Sequence, residues 1–95
     1  MDEAQYRERL RKSGYGEAQI RDYEPGLDNK MHTHDFSAMV LVLSGEFILA
    51  REGGAATFGP GDCCEVEAGT LHAEQTGPSG ATVLVARKSF RTAAG

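Results

Sequence analysis

The sequence predicts an all-β domain, either a sandwich or a barrel, preceded by one short helix. From residue 19 onward, short segments with strand character are separated by glycine-containing turns, among them Gly59-Pro60-Gly61 and Gly77-Pro78-Ser79-Gly80. Residues 2–13 instead carry the charge pattern and capping signals of a helix. A chain of 95 residues has room for one such domain.

The predicted helix begins at Asp2, a good N-cap residue, with Gln5 at the capping-box position. Tyr6 and Leu10 share one face, and Gly14 is a natural stop. Because this apolar stripe is narrow, we expect the helix to lie outside the core. The chain is then divided into a helical extension (residues 1–18), a β-barrel (19–90) and a C-terminal tail (91–95).

Eight strands are predicted, at residues 19–23, 30–34, 38–43, 46–51, 55–58, 63–66, 71–75 and 81–88. The segment 38–43 is apolar on both faces, and Met39, Leu41 and Leu43 form its outward row. A second layer of the same chain or a partner subunit must cover this row, and we expect a homodimer.

Composition and charge exclude several function classes. The net charge is −4 and the isoelectric point is about 5.3, so the surface repels nucleic acid. The longest apolar run, residues 38–43, is too short to cross a bilayer, and the N-terminus lacks the apolar stretch of a secretory signal. We therefore expect a cytoplasmic protein. In that compartment Cys63 and Cys64, which are adjacent, are expected to be reduced thiols with at least one of them buried.

The three histidines form a candidate metal site. His32 and His34 are one residue apart, so on a strand their imidazoles leave the same face. His72 belongs to a later strand, and strands distant in sequence face one another across a barrel. It can therefore complete a facial set of three ligands. Spacing alone leaves open the alternative that these histidines simply face solvent.

The residues around the histidines resemble the two motifs of the cupin family of β-barrels. In the first motif, G-x₅-H-x-H-x₃₋₄-E-x₆-G, Gly26 precedes His32-Thr33-His34 by five residues and Gly45 closes the motif. In the second, G-x₅-P-x-G-x₂-H-x₃-N, Gly61 precedes Glu67-Ala68-Gly69-Thr70-Leu71-His72 by five residues. The resemblance implies a double-stranded β-helix, or jelly-roll barrel. It also implies that His32, His34 and His72 bind a divalent transition metal such as zinc, iron, manganese or nickel.

Three positions depart from the cupin pattern. Glu67 replaces the proline, Thr76 replaces the asparagine, and Ala38 or Met39 stands where the glutamate of the first motif is expected. The usual fourth protein ligand is therefore missing. Glu74 shares a strand face with His72 and is the candidate catalytic residue, as a metal ligand, an acceptor that orients an imidazole, or a general base. The alternative is a half-exposed carboxylate at the barrel mouth.

Two side chains have roles that depend on where they point. Phe36 can line a ligand pocket, and Arg87 can bind a carboxylate if it points inward. The sequence favours a metal-binding protein, either a dioxygenase, isomerase or lyase acting on a small anionic or chelating molecule, or a non-catalytic module that binds or senses a small ligand. An inert barrel with vestigial histidines is the third reading.

Overall fold

The protein is an antiparallel β fold with one N-terminal helix, as predicted. The computed structural model describes residues 1–89. Its elements in chain order are α1 (Glu3–Ser13), β1 (Gln19–Tyr23), β2 (Phe36–Arg51), β3 (Gly54–Phe58), β4 (Cys63–Val66) and β5 (His72–Ser89). The strands lie in the order β1-β5-β2-β3, and β4 pairs with β2. No helix within residues 1–89 combines the length and apolarity needed to cross a membrane.

The two long strands β2 and β5 each replace two predicted strands. The turns expected at Ser44-Gly45 and at residues 77–80 lie within β2 and β5 and do not end these strands. The pairing of the two strands is interrupted there, with register shifts on either side of Gly45: Gly45 pairs with Ala81 and Phe47 with Thr76, so residues 77–80 have no partner on β2. Gly45 and Gly80 have φ angles of 79° and 72°. A Cβ on Gly45 would lie 2.0 Å from the carbonyl oxygen of Gly80. The two glycines therefore let both strands bend at one point where the backbones approach closely.

The predicted strand at residues 30–34 is wrong as an element. His32 forms only an isolated bridge with His72, in which each backbone N–H donates to the other residue's carbonyl oxygen at 2.8 and 2.9 Å. This bridge and a second one between Asp28 and Gln75 align the segment with the start of β5.

Helix α1 belongs to the core. Its cap forms as predicted: the Asp2 side chain accepts from the Gln5 N–H at 2.8 Å, and Gly14 ends the helix in the left-handed conformation. Tyr6 is fully buried, and its hydroxyl donates to the carbonyl oxygens of Met39 and Leu84 at 2.7 and 3.3 Å. The expectation of a helix outside the core is therefore wrong.

Two apolar clusters lie on opposite faces of β2. The inner cluster contains Val40, Val42 and Phe47, and the outer cluster places Met39 and Leu41 against α1. The chain covers Met39 and Leu41 by itself, so they no longer argue for a partner subunit, whereas Leu43, the third residue of the predicted outward row, is exposed. The homodimer stays a prediction. The division at residues 18 and 90 also stays a prediction, and the tail expected at 91–95 lies outside the described residues.

Both cysteines are free thiols, as predicted, and Cys64 is buried. Burial raises the pKa of Cys64 to about 12, and the neighbouring thiol adds to the shift. Burial also raises the pKa of Cys63. The thiolate forms of both residues are therefore scarce at neutral pH.

Candidate metal centre

The histidine segment is held against β5 by the loop that precedes it. Thr76, which stands where the cupin pattern has asparagine, is the anchor. Its hydroxyl donates to the carbonyl oxygen of Glu24 at 2.6 Å and accepts from the N–H of Leu27 at 2.8 Å. Further along, the N–H of Asn29 donates to the carbonyl oxygen of Glu74 at 3.0 Å. This loop delivers His32 and His34 to the start of β5, where His72 and Glu74 lie.

The structure brings all four predicted site residues together. Potential ligand atoms of His32, His34, His72 and Glu74 all lie within 4.8 Å of one another. We call these four residues the His/Glu cluster. The ring centres of His32 and His34 are 4.6 Å apart, those of His32 and His72 are 4.6 Å apart, and those of His34 and His72 are 5.2 Å apart. One ion can reach all four side chains at this spacing.

Backbone carbonyl groups select the tautomers of two imidazoles. His32 Nδ1 lies 2.6 Å from the carbonyl oxygen of Lys30, and His72 Nδ1 lies 2.8 Å from that of Thr70. A carbonyl oxygen can only accept a hydrogen bond, so Nδ1 carries the hydrogen in both rings. Nε2 of each ring is then the atom whose lone pair faces the cluster, as a metal ligand requires.

The carboxylate of Glu74 lies among these lone pairs. Its Oε2 is 3.1 Å from His72 Nε2, and its Oε1 is 3.8 Å from His32 Nε2. Asn29 donates from Nδ2 to Oε1 at 3.1 Å, which fixes the orientation of the carboxylate. A carboxylate oxygen and an imidazole lone pair repel at 3.1 Å unless a cation, either a proton or a metal ion, lies between them.

His34 is suited to binding a cation as a neutral base. Burial lowers the pKa of His34, and the neighbouring imidazoles of His32 and His72 lower it further. The ring is therefore neutral at pH 7, which is the form that binds metal. His34 also stacks on Phe36, with ring centres 4.5 Å apart and an angle of 16° between the ring planes.

A cavity of about 290 Å³ opens beside the His/Glu cluster. Phe36 lines it, as expected, and Arg87 also points into it, which the sequence could not decide. Ala38 lines the same cavity, whereas Met39 is buried on the opposite face of β2. Ala38 therefore stands at the place of the missing glutamate, and its methyl group leaves that space open.

Three further residues of the site were missed by the sequence analysis. Arg21, Tyr23 and Asn29 all line the cavity. Strand β1 offers a misleading signal, since its apolar Ile20 faces outward with 61% exposure while Arg21 faces the cavity. Asn29 lies in a loop, and no spacing rule connects it with Glu74.

Comparisons with known proteins agree with this architecture. The family model described as "Cupin domain" matches residues 19–86. Among solved structures, a protein of unknown function from Rhizobium leguminosarum bv. viciae 3841 superposes with a TM-score of 0.67 at 22% identity, over 76% of this chain and 70% of its own. KdgF from a Halomonas species superposes with a TM-score of 0.62 at 22% identity, over 80% and 69%. These two likenesses concern the fold.

A structure of the DMSP lyases RdDddP and RnDddQII superposes with a TM-score of 0.65 at 25% identity, over 74% of this chain and 36% of the lyase chain. A comparison with curated protein sequences found no match. The family model covers well over half of the sequence, and the matched residues 19–86 include His32, His34 and His72. The chain belongs to the cupin family.

Proposed function

We propose that this cupin holds a divalent transition metal through His32, His34, His72 and Glu74, and that the metal serves to bind and convert a small anionic or chelating molecule in the adjoining cavity. The observation that carries the proposal is the contact between the His72 Nε2 lone pair and the Glu74 carboxylate, 3.1 Å apart. Both atoms belong to the His/Glu cluster, whose potential ligand atoms lie within 4.8 Å of one another, and a cation among them relieves their repulsion.

The donor set fits zinc, iron, manganese or nickel. Three imidazole nitrogens with one carboxylate oxygen are a ligand set that these ions take in proteins. Glu74 supplies from β5 the negative charge that Ala38 cannot supply from β2. When bound, such an ion polarises an oxygen or carbonyl group of a substrate.

The protein's own residues have separate tasks around this centre. The carbonyl oxygens of Lys30 and Thr70 hold two imidazoles in the ligand tautomer, and Asn29 holds the Glu74 carboxylate. The ring of Phe36 covers His34 and limits the access of water on that side. Arg21 and Arg87 line the cavity and are exposed, so a substrate arriving from solvent would meet their positive charge.

One observation favours the second candidate, a non-catalytic module that binds or senses its ligand. If Glu74 is a metal ligand, no other carboxylate lines the cavity among residues 1–89. Tyr23 is the remaining group that can exchange a proton there, and burial raises its pKa. A reaction that needs a general base at neutral pH would then have to use Glu74 itself.

The metal site is tested by the substitution Glu74→Gln, which keeps the shape of the side chain and removes its charge. Zinc titrated into metal-free protein against a competing chelator should bind about tenfold or more weakly than to the wild type. Glu52→Gln, which removes the same charge from the exposed turn between β2 and β3, is the control and should bind zinc like the wild type. Equal zinc affinity of wild type and Glu74→Gln would contradict the assignment of Glu74.

The two candidate functions are separated by incubating metal-loaded protein with a panel of small hydroxy and oxo acids. Nuclear magnetic resonance follows both line broadening, which reports binding, and the appearance of new compounds. Turnover that is lost in Glu74→Gln supports the enzyme. Binding without turnover of any member supports the binding module.

The homodimer is a separate proposal. β1 lies at one end of the strand order and carries the exposed Ile20, so an apolar group is available on this edge for contact with a second copy. Sedimentation equilibrium should show a dimer that Ile20→Lys weakens. A wild-type protein that sediments as a monomer would contradict the proposal.

A further inference from the structure

We propose that the cavity takes a short organic acid that binds at both ends, with a carboxylate on Arg87 and a metal-binding group on the His/Glu cluster, while Arg21 adds a second positive charge. This inference rests on the proposed metal site and adds the chemical class of the ligand. It is carried by the placement of Arg87, by the charge balance of the cavity and by the cavity's size.

Arg87 is held in place by a stack of rings that leads to the His/Glu cluster. Its guanidinium carbon lies 4.4 Å from the centre of the Phe36 ring, a cation–π contact. The Phe36 ring centre lies 4.5 Å from that of His34. The guanidinium carbon is thus at most about 9 Å from the centre of the His34 ring. A single small molecule can span this distance.

Two arginines of the cavity have no salt-bridge partner among residues 1–89. Arg21 and Arg87 both line the cavity, and neither forms a salt bridge with a carboxylate of residues 1–89. On helix α1, by contrast, Arg7 and Arg11 are paired with glutamates. Glu74, the one carboxylate that lines the cavity in the described part of the chain, already contacts His72 and Asn29. An incoming anion would therefore meet two guanidinium groups that form no ion pair within residues 1–89, in a protein of net charge −4.

The size and chemistry of the site favour a carboxylate on a small molecule. At about 30 Å³ for each water-sized group, the cavity of about 290 Å³ holds roughly ten non-hydrogen atoms. The planar fork of a guanidinium matches the two oxygens of a carboxylate. Sites for phosphate often add the N–H groups of a helix N-terminus, but α1 contributes no residue to this cavity.

The test compares two probes that differ in one carboxylate. L-Malate and L-lactate share a hydroxy-acid group that chelates metals, and malate adds a carboxylate at the other end. Isothermal calorimetry on the zinc-loaded full chain should show malate binding about tenfold or more tightly than lactate. In Arg87→Gln this difference should disappear, because malate binding weakens to the level of lactate. The control Arg51→Gln removes the same charge outside the cavity lining and should keep the difference.

Zinc content and thermal unfolding are measured first for every variant, so that the two proposals can fail separately. If the wild type takes up zinc but malate and lactate bind equally, or if Arg87→Gln leaves their difference unchanged, the carboxylate site is wrong and the metal site stands. If the wild type takes up no metal, the proposed function fails and this inference fails with it.

Discussion

The buried tyrosine of helix α1 offers a sharp test of how the fold is held together. Tyr6 is fully buried, and its hydroxyl donates to the Met39 carbonyl oxygen at 2.7 Å. Tyr6→Phe removes this hydrogen bond and keeps the ring, so it should cost about 1 kcal/mol of the free energy of unfolding. For a domain of this size, that corresponds to a fall of about 4–8 °C in the unfolding midpoint.

Tyr6→Ala removes the ring as well and should cost about 3–5 kcal/mol. A domain of this length has a total stability of roughly 5–14 kcal/mol, so this variant should be marginal, with a midpoint lowered by about 12 °C or more. Circular dichroism during heating and urea unfolding measures both variants. Arg9→Ala, on the exposed face of the same helix, is the control and should change stability by less than about 0.5 kcal/mol. If Tyr6→Ala costs no more than Arg9→Ala, α1 is an appendage after all.

Three further predictions concern the close approach of Gly45 and Gly80, the candidate metal site and the cysteine thiols. In urea unfolding, Gly45→Ala should destabilise the protein by more than Gly53→Ala. Both glycines have a positive φ, but only a Cβ on Gly45 would meet the Gly80 carbonyl oxygen, at 2.0 Å. Equal losses of stability would contradict this close approach. The pKa of His34 is lower in the folded protein than the ordinary histidine value of about 6.5. At a pH near or below that value, the unfolded chain therefore binds more protons than the folded one. The free energy of unfolding of the metal-free protein should therefore fall as the pH is lowered from 7.5 to 5.5, and it should fall less in His34→Asn. Identical pH profiles of the two proteins would refute this. Cys64 should resist Ellman's reagent at pH 8 in native protein and react in urea, since burial raises its pKa to about 12; equally fast labelling in both conditions would show that it is accessible.

Much of the fold could be predicted from the sequence because local signals carry it. The cap at Asp2, the stop at Gly14 and the strands at residues 19–23 and 63–66 each depend on neighbouring residues, and all appear in the structure. The errors concern features set by distant contacts. Ser44-Gly45 has the composition of a turn, yet the close approach of Gly80 makes it a bend within paired strands.

The helix was misjudged for the same reason. Tyr6 and Leu10 form a stripe of only two apolar residues, which is too small to predict that the helix packs into the core. What buries it is the outward row of β2, which needs a cover, and the tyrosine hydroxyl, which reaches carbonyl oxygens on two strands. The sequence indicated that the outward row of β2 needs a cover and that α1 has an apolar face, but it did not indicate that the two would pack together.

The same distinction between local signals and distant contacts applies to the candidate site. His32, His34 and His72 stand out because their types and spacing are rare, and Glu74 follows from strand alternation. Asn29, which orients Glu74, and Arg87, which stacks on Phe36, are brought in by pairings across the barrel. Such pairings depend on register, which the sequence of one chain does not specify at residues near bends.

The central claim, that the His/Glu cluster binds a metal, is tested most directly by elemental analysis of untagged protein after incubation with zinc and removal of free ions. The wild type and Gln75→Ala, altered beside the cluster on the same strand, should each carry close to one equivalent of zinc. His72→Ala should carry little while its circular dichroism still shows a folded β protein. Equal zinc in a folded His72→Ala variant, or none in the wild type, would contradict the account.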